Sequence, residues 1–307
     1  MFYEYQVTTM KDSNYIMTGF TEHLKWLRER GFCLNIDNYD NNQLSQTYHL
    51  ELHGKSYENI YNDADIIFIF KHQMAQVLAE HIIDDWEDNL LWKEVVKTCK
   101  AIPNEEKREV YFKASNFMKN YNDNAALNML VRYNRKNKLA HHLLDYIHNS
   151  KLMVLEGFIN FCLADYLEEI RIAVDLAFEE YKNEQEYNEF VKLLRYFVDT
   201  QLPKSNEVNL LMANNGIFYL WDEEGVAIED KYINYYLDDI LLDDINLDDI
   251  LISILITVAP RHIVLHNVSA YYQNEAVKAI QRVFDDKISF CDSCERCYKF
   301  IREMDRS

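Results

Sequence analysis

Three cysteines stand at a metal-binding spacing close to the C-terminal end of the chain. Cys291, Cys294 and Cys297 form a C-x2-C-x2-C run directly after a predicted strand. A turn brings side chains three residues apart to the same side, so three thiolates at this spacing can bind one metal ion. A tetrahedral site needs one more ligand. The run therefore predicts a metal site completed by a residue from elsewhere in the chain.

His266 is the best candidate for the fourth ligand. The chain from about 261 to 291 predicts strand, helix and strand, a βαβ unit with parallel strands. The C-terminal ends of parallel strands share one sheet edge, which puts His266 beside Cys291 and leaves His262 at the other edge. Three cysteines and one histidine suit zinc. An iron–sulfur cluster would need a fourth thiolate, and Cys33 is the candidate outside the predicted helices.

Two other interpretations of these cysteines stay open. Neighbouring cysteines such as Cys294 and Cys297 can have a lowered thiol pKa and act in redox chemistry. They can also be plain reduced thiols, as expected in an unexported chain whose six cysteines do not reach the density of a disulfide scaffold. The chain is thus expected to act by binding a protein partner, and the alternative is a metal-binding or redox-responsive protein that uses these cysteines.

Other candidate residues give weaker signals. Six aspartates between 238 and 249 belong to three Leu-Asp-Asp-Ile copies, which lack the spacing of a calcium loop and indicate an acidic exposed face. His141 and His142 lie in a predicted helix without a clear ligand set. No glycine-rich phosphate loop, G-x-S-x-G or H-E-x-x-H motif is present. The sequence therefore assigns no catalytic residue, and it favours a binding protein over an enzyme.

The elements that position these residues predict an α+β fold that is predominantly α. A small N-terminal β-α-β-β unit is predicted over 1–60, followed by a multi-helix domain over 61–205 in which apolar residues recur with a 3.6-residue period. A C-terminal unit over 206–307 is predicted to contain a hairpin, a buried helix and the βαβ unit. The low content of glycine and proline, 6 and 3 residues, favours long helices.

The segment 151–203 carries the strongest helical pattern. Two amphipathic stretches with almost no loop between them predict an antiparallel helical pair joined near Asn183. Glu156 and Arg195 each interrupt an apolar run, one on each predicted helix. We expect them either to form an ion pair across the helical interface or to lie on the surface.

Composition bears on location and partners. With 32 basic and 51 acidic residues the net charge is −19, a field that disfavours nucleic acid and anionic membranes. Only the run from Arg132 to Lys138 is locally basic, and a solvated helix end explains it better. No secretory signal and no apolar stretch of spanning length are visible. We therefore expect a cytoplasmic protein without a membrane span whose acidic surface suits an unidentified protein partner.

Several blocks of the sequence carry a family resemblance. They are FKHQMAQVLAE at 70–80, LEGFINF at 155–161, EYNEFVKLLRYFVD at 186–199, and the C-terminal pattern of Ala259-Pro260, Ile263 to His266 and the cysteines. In these blocks the chain resembles the YtxC family of sporulation-associated proteins of endospore-forming bacteria, from about residue 65 onward. The resemblance implies a cytoplasmic protein linked to sporulation. It implies no catalytic residues.

Overall fold

The computed structural model describes residues 1–10, 14–41, 45–54, 62–120, 124–212, 218–228, 247–266, 274–291, 293–295 and 297–298. This part of the chain is mostly helical and contains two small mixed sheets, which confirms the predicted α+β class with predominant helix. The molecule forms two compact units, Met1–Lys182 and Asn183–Ser307. The boundary predicted at residue 60 falls inside the first unit, and the one predicted at 205 falls inside the second.

The first unit contains a four-stranded sheet. Its strands are β1 (Phe2–Thr9), β2 (Cys33–Asn41), β3 (Ser45–His53) and β4 (Leu152–Val154), in the order β2-β3-β1-β4. Helices α1 (Asn14–His23) and α2 (Lys25–Glu29) lie between β1 and β2, as the sequence predicts. Strand β4 was not predicted. It pairs in parallel with β1 and is too short to show a period of its own.

The remaining helices of the first unit lie within the predicted multi-helix region over 61–205. They are α3 (Asp63–His81), α4 (Glu87–Thr98), α5 (Asn104–Lys119), α6 (Ala125–Asn149) and α7 (Leu155–Cys162), with a π-helical turn over Ile82–Trp86. The side chain of Asn62 caps α3 by accepting a hydrogen bond from the backbone N–H of Asp65 at 2.9 Å. One hydrophobic core joins the inner face of the sheet to these helices. No described helix is both long enough and apolar enough to cross a membrane.

The predicted helical pair over 151–203 is wrong. The chain forms the short helix α7 and then one uninterrupted helix of 37 residues, α8 (Ala164–Thr200), which passes through Asn183 without a turn. Two amphipathic stretches in sequence are compatible with either arrangement, because the 3.6-residue period does not reveal whether the chain reverses between them. No glycine or proline stands between 164 and 200 to break the helix.

The second unit contains another four-stranded sheet, with the order β6-β5-β7-β8. Its elements are β5 (Ser205–Met212), β6 (Phe218–Asp222), α9 (Leu247–Val258), β7 (Pro260–His266), α10 (Glu275–Phe284) and β8 (Ile288–Cys291). Strands β5 and β6 pair antiparallel, and β7 and β8 pair parallel around α10, so the predicted hairpin and βαβ unit are both confirmed. The turn of the predicted hairpin, at 213–217, and the first two Leu-Asp-Asp-Ile copies lie outside the described residues.

Candidate metal centre

The sheet of the second unit brings His266 and Cys291 to the same edge. In the parallel pairing of β7 with β8 these two residues are direct partners, and each is the last residue of its strand. Cys294 and Cys297 follow β8 immediately. Strand register therefore supplies two of the four candidate ligands, and the short segment after β8 supplies the other two. The predicted position of His266 is confirmed.

The four donor atoms lie close together. Nδ1 of His266 is 3.6 Å from Sγ of Cys294 and 3.4 Å from Sγ of Cys297. The Cys297 sulfur is also 3.5 Å from that of Cys294 and 4.0 Å from that of Cys291. All four atoms lie within 4.8 Å of one another. The cluster could thus hold one metal ion.

These separations match a tetrahedral metal site. A zinc ion with ordinary bond lengths keeps two sulfurs about 3.8 Å apart and a sulfur and a nitrogen about 3.5 Å apart. The separations involving Cys297 differ from these values by only a few tenths of an ångström. Four protein donors also complete a tetrahedron, whereas a catalytic zinc usually keeps one position open. The donor set fits a closed zinc site with little rearrangement.

A buried asparagine orients the histidine. Nε2 of His266 is 2.9 Å from Oδ1 of Asn209, a residue of β5, and both side chains are buried. The Asn209 amide nitrogen donates to Oε1 of Glu207 at 3.0 Å, which turns the amide oxygen toward the imidazole. Nε2 must then carry the proton that it donates to Asn209, so Nδ1 presents its lone pair to the thiols. Trp221 stacks on the ring with 5.4 Å between centroids.

Sequence reasoning missed Asn209 and Trp221. A signal for Asn209 exists, because it is the one polar residue in the run Val208 to Met212. A polar side chain inside a buried strand needs a hydrogen-bond partner. Which partner it takes follows only from the parallel pairing of β5 with β7, where Asn209 stands opposite Val264, two residues before His266.

Burial shapes the acidity of the thiols in the metal-free site. Loss of solvent raises the pKa of Cys291 to about 12, and the neighbouring thiols add to this effect. Burial likewise raises the pKa of Cys297. Without a cation the site therefore holds neutral thiols, and a bound metal ion would supply the positive charge that stabilises the thiolates. This environment is the opposite of the electropositive one that makes a cysteine redox-active.

Other candidate residues lie elsewhere. The imidazole of His262 is 2.8 Å from the Ser289 hydroxyl, away from the cysteines. Cys33, the alternative thiolate for an iron–sulfur cluster, is an exposed residue of β2 in the first unit. His141 and His142 are exposed on α6. Most of the aspartates between 238 and 249 lie outside the described residues.

Glu156 and Arg195 each have another partner. In the first unit, Oε1 of Glu156 accepts hydrogen bonds from the Thr9 hydroxyl at 2.9 Å and from the backbone N–H of Met10 at 2.5 Å. In the second unit, Arg195 forms an ion pair with Asp285 at 2.6 Å. The expected pairing of Glu156 with Arg195 presupposed a helical hairpin. The continuous helix α8 replaces that hairpin.

The basic run between Arg132 and Lys138 is neutralised by neighbouring helices. Arg132 pairs with Asp84 at 2.5 Å, Lys136 with Glu80 at 3.1 Å and Lys138 with Glu169 at 2.8 Å, while Arg135 pairs with Glu87. The pairs on Arg132 and Arg135 line a cleft of about 490 Å³. Since each cation of the run already faces a carboxylate, the run contributes to helix packing rather than to an anion-binding surface.

Comparison with known proteins identifies relatives of this chain. The model of the YtxC-like family matches residues 72–289, a region that contains His266 and ends just before the three cysteines. The chain is 24% identical over 235 residues to a protein of Bacillus subtilis (strain 168) described as "Uncharacterized protein YtxC", covering 73% of this chain and 78% of the relative. No solved structure matches.

Proposed function

This chain belongs to the YtxC-like family, and we propose that it is a zinc-binding protein whose ion is held by His266, Cys291, Cys294 and Cys297. One observation carries the proposal. The four donor atoms from β7, β8 and the following segment lie within 4.8 Å of one another. Side chains that already face each other at tetrahedral distances lose little conformational freedom when a metal ion binds them.

The role of the ion would be structural. Four protein ligands leave no open position for a water molecule or a substrate, which is the arrangement of structural zinc sites. The ion would attach the segment after β8 to the end of β7 and so stabilise the second unit. Because the donors converge only in the folded chain, the free energy of zinc binding adds to the free energy of folding.

Zinc is favoured over the other candidates by the ligand types. An iron–sulfur cluster is usually held by four thiolates, and here the fourth donor is an imidazole that is also hydrogen-bonded to Asn209. A redox role would be favoured by a lowered thiol pKa, whereas burial raises that of Cys291 and Cys297.

Metal analysis of purified, untagged protein tests the proposal. We expect about one zinc ion per chain, as four ligands complete one tetrahedron. We expect this zinc to be lost in Cys294→Ser and retained in Cys162→Ser, which changes an exposed cysteine of the first unit. A folded, metal-free wild-type protein would overturn the proposal, as would zinc retained at the same level in Cys294→Ser. Stoichiometric iron together with inorganic sulfide in the purified protein would indicate an iron–sulfur cluster instead of zinc.

We also propose that the protein acts in the cytoplasm of sporulating cells by binding a protein partner. The supporting observation is an apolar surface on the C-terminal half of α8. Its members are large side chains, each at least 40% exposed: Tyr187, Phe190, Leu193, Tyr196 and Phe197. Contiguous exposed apolar residues often mark protein-binding sites. The net charge of −19 would favour a partner with basic residues around its own contact surface.

A comparison of two neighbouring variants tests this second function. Phe190→Ser removes an exposed aromatic side chain from the apolar surface, and Asn188→Ser is a control at an exposed polar position of the same helix. We expect one partner to be captured from sporulating cells by the wild type and by Asn188→Ser but not by Phe190→Ser. Sporulation should fall with the same variant. Equal capture by all three proteins, or no partner at all, would contradict the proposal.

A further inference from the structure

The outer face of the first unit's sheet carries a second group of metal-ligand side chains. Strand β3 alternates, with Tyr48, Leu50 and Leu52 buried in the core. Alternation places His49, Glu51 and His53 together on the opposite face. This H-x-E-x-H pattern puts three ligand-type residues in one row, separated from the C-terminal cysteines by more than 200 positions in the sequence.

Strand pairing adds a fourth ligand-type residue. In the antiparallel register of β1 with β3, Glu4 stands directly opposite Glu51. Two like charges directly opposite each other destabilise a sheet unless a cation lies between them. The sheet itself contains no such cation, because the strands β1 to β4 contain neither lysine nor arginine. In the ion pairs of the described residues, Glu4 pairs with His49, and Glu51 pairs with His49 and His53.

The imidazole of His49 lies between the two carboxylates without closing on either. Its Nε2 is 4.0 Å from Glu4 and its Nδ1 is 3.6 Å from Glu51. Both separations exceed the length of a good hydrogen bond. One donor atom from each of the three residues lies within 4.8 Å of the other two. The two nearest contacts use different ring nitrogens, so binding one ion requires a side-chain rotation that turns a single nitrogen of His49 toward both carboxylates.

We infer that Glu4, His49 and Glu51 form a second, open binding site for a divalent first-row transition-metal ion. One imidazole nitrogen and two carboxylate oxygens suit ions such as Mn²⁺, Fe²⁺ or Zn²⁺, and three protein ligands leave coordination positions for water. This donor set is chemically distinct from the sulfur-rich site of the second unit. Its ion is exchangeable, because the side chains lie on an accessible sheet face.

Manganese is the probe that separates the two sites. Mn²⁺ prefers oxygen and nitrogen ligands and competes poorly for thiolates. We therefore expect zinc-loaded, full-length protein to bind Mn²⁺ at this site, measured as loss of the electron paramagnetic resonance signal of free Mn²⁺. Affinity should fall at least about tenfold in each of Glu4→Gln, His49→Gln and Glu51→Gln, because each removes a direct ligand.

Two measurements distinguish binding at this site from nonspecific binding of Mn²⁺ to an acidic protein. Glu94→Gln changes an acidic residue of α4 that pairs with Lys97, and it should leave the affinity unchanged. Substoichiometric Mn²⁺ should broaden the imidazole resonances of His49 before those of His262. Unchanged Mn²⁺ affinity in all three ligand variants, or equal broadening of the two histidines, would overturn the inference. Either outcome leaves the zinc proposal untouched, since that rests on other residues.

Discussion

The amide oxygen of Asn209 lies 2.9 Å from Nε2 of His266, and the two side chains are 3% and 4% exposed. This contact selects the tautomer of His266 that carries its proton on Nε2. The lone pair is then on Nδ1, the nitrogen that faces the cysteines. The hydrogen bond belongs to the class of outer contacts that orient metal-binding histidines and tune their affinity. Asn209 is therefore a positioning residue of the proposed zinc site.

Replacing Asn209 should weaken zinc binding. Asn209→Leu keeps the branched shape of the side chain but removes the acceptor, so the imidazole loses its fixed orientation. We expect the zinc affinity to fall by about 10- to 100-fold, measured by competition with a chromophoric chelator. Asn209→Asp keeps an acceptor and should bind zinc at least as tightly as the Leu variant. Asn206→Leu, at an exposed position of the same strand, is the matched control and should bind as wild type.

The thiols of the metal-free site should react slowly at neutral pH. Burial raises the pKa of Cys291 to about 12, and only the thiolate is nucleophilic. In chelator-treated protein at pH 8 we expect iodoacetamide to modify Cys291 much more slowly than the exposed Cys33, as followed by mass spectrometry. The rate at Cys291 should climb as pH rises. Equal rates at the two cysteines would show that burial does not control this thiol.

Zinc affinity should increase with pH for the same reason. The raised pKa values of Cys291 and Cys297 mean that these thiols carry protons in the free protein, and zinc must displace them. Raising the pH removes that competition, so zinc affinity should increase with pH until the pH exceeds the thiol pKa. Calorimetry in buffers of different ionisation enthalpy should record proton release on zinc binding. Binding without proton release would contradict the prediction.

A buried ion pair in the first unit should dominate the stability of its helices. Glu87 is 1% exposed and accepts hydrogen bonds from Arg135 and from the Tyr166 hydroxyl, the latter at 2.7 Å. Burial, with the Glu87 charge, raises the pKa of Tyr166 well above its usual value, so it remains a neutral donor. Arg135→Met would leave the carboxylate buried without its cation, at a cost of about 3–5 kcal/mol.

Urea unfolding with a neighbouring arginine as control measures this effect. Arg132 is on the same helix but its side chain is 55% exposed, and its pair with Asp84 lies at the surface. Arg132→Met should cost about 0–1 kcal/mol. Tyr166→Phe, which removes one hydrogen bond to a charged group, should cost about 1.5–3 kcal/mol. Similar losses for the two arginine variants would mean that the buried pair contributes no more than a surface one.

Helix α8 provides a direct test of chain continuity at Asn183. Proline inside a helix removes a hydrogen bond and clashes with the preceding turn, at a cost of about 3 kcal/mol or more. Asn183→Pro should therefore lower both helicity by circular dichroism and stability, whereas Asn183→Ala should be neutral or slightly stabilising. In a two-helix hairpin with a loop at this position, proline would be tolerated. An Asn183→Pro variant with unchanged helicity and stability would therefore support the hairpin interpretation over a continuous helix.

Much of the local structure is predictable because local structure follows local periodicity. The predicted multi-helix region over 61–205 contains α3 to α8, and the predicted hairpin and βαβ unit are both present in the second unit. The spacing of the cysteines and the parallel βαβ unit together sufficed to place His266 beside them. Strand direction alone decides which end of a strand meets which.

Pairings between residues far apart in the sequence become visible only in the tertiary structure. Strand register determines which residue orients His266 and that Glu4 faces Glu51. Helix continuity across many residues determines whether the chain reverses at Asn183. The sequence by itself determined the α+β class, many of the helices and strands and the candidate sulfur ligands, because each depends on neighbours a few positions apart. The tertiary structure decided the contacts around the proposed zinc site and the juxtaposition of Glu4, His49 and Glu51, because loop closure and register bring together side chains that no local pattern connects.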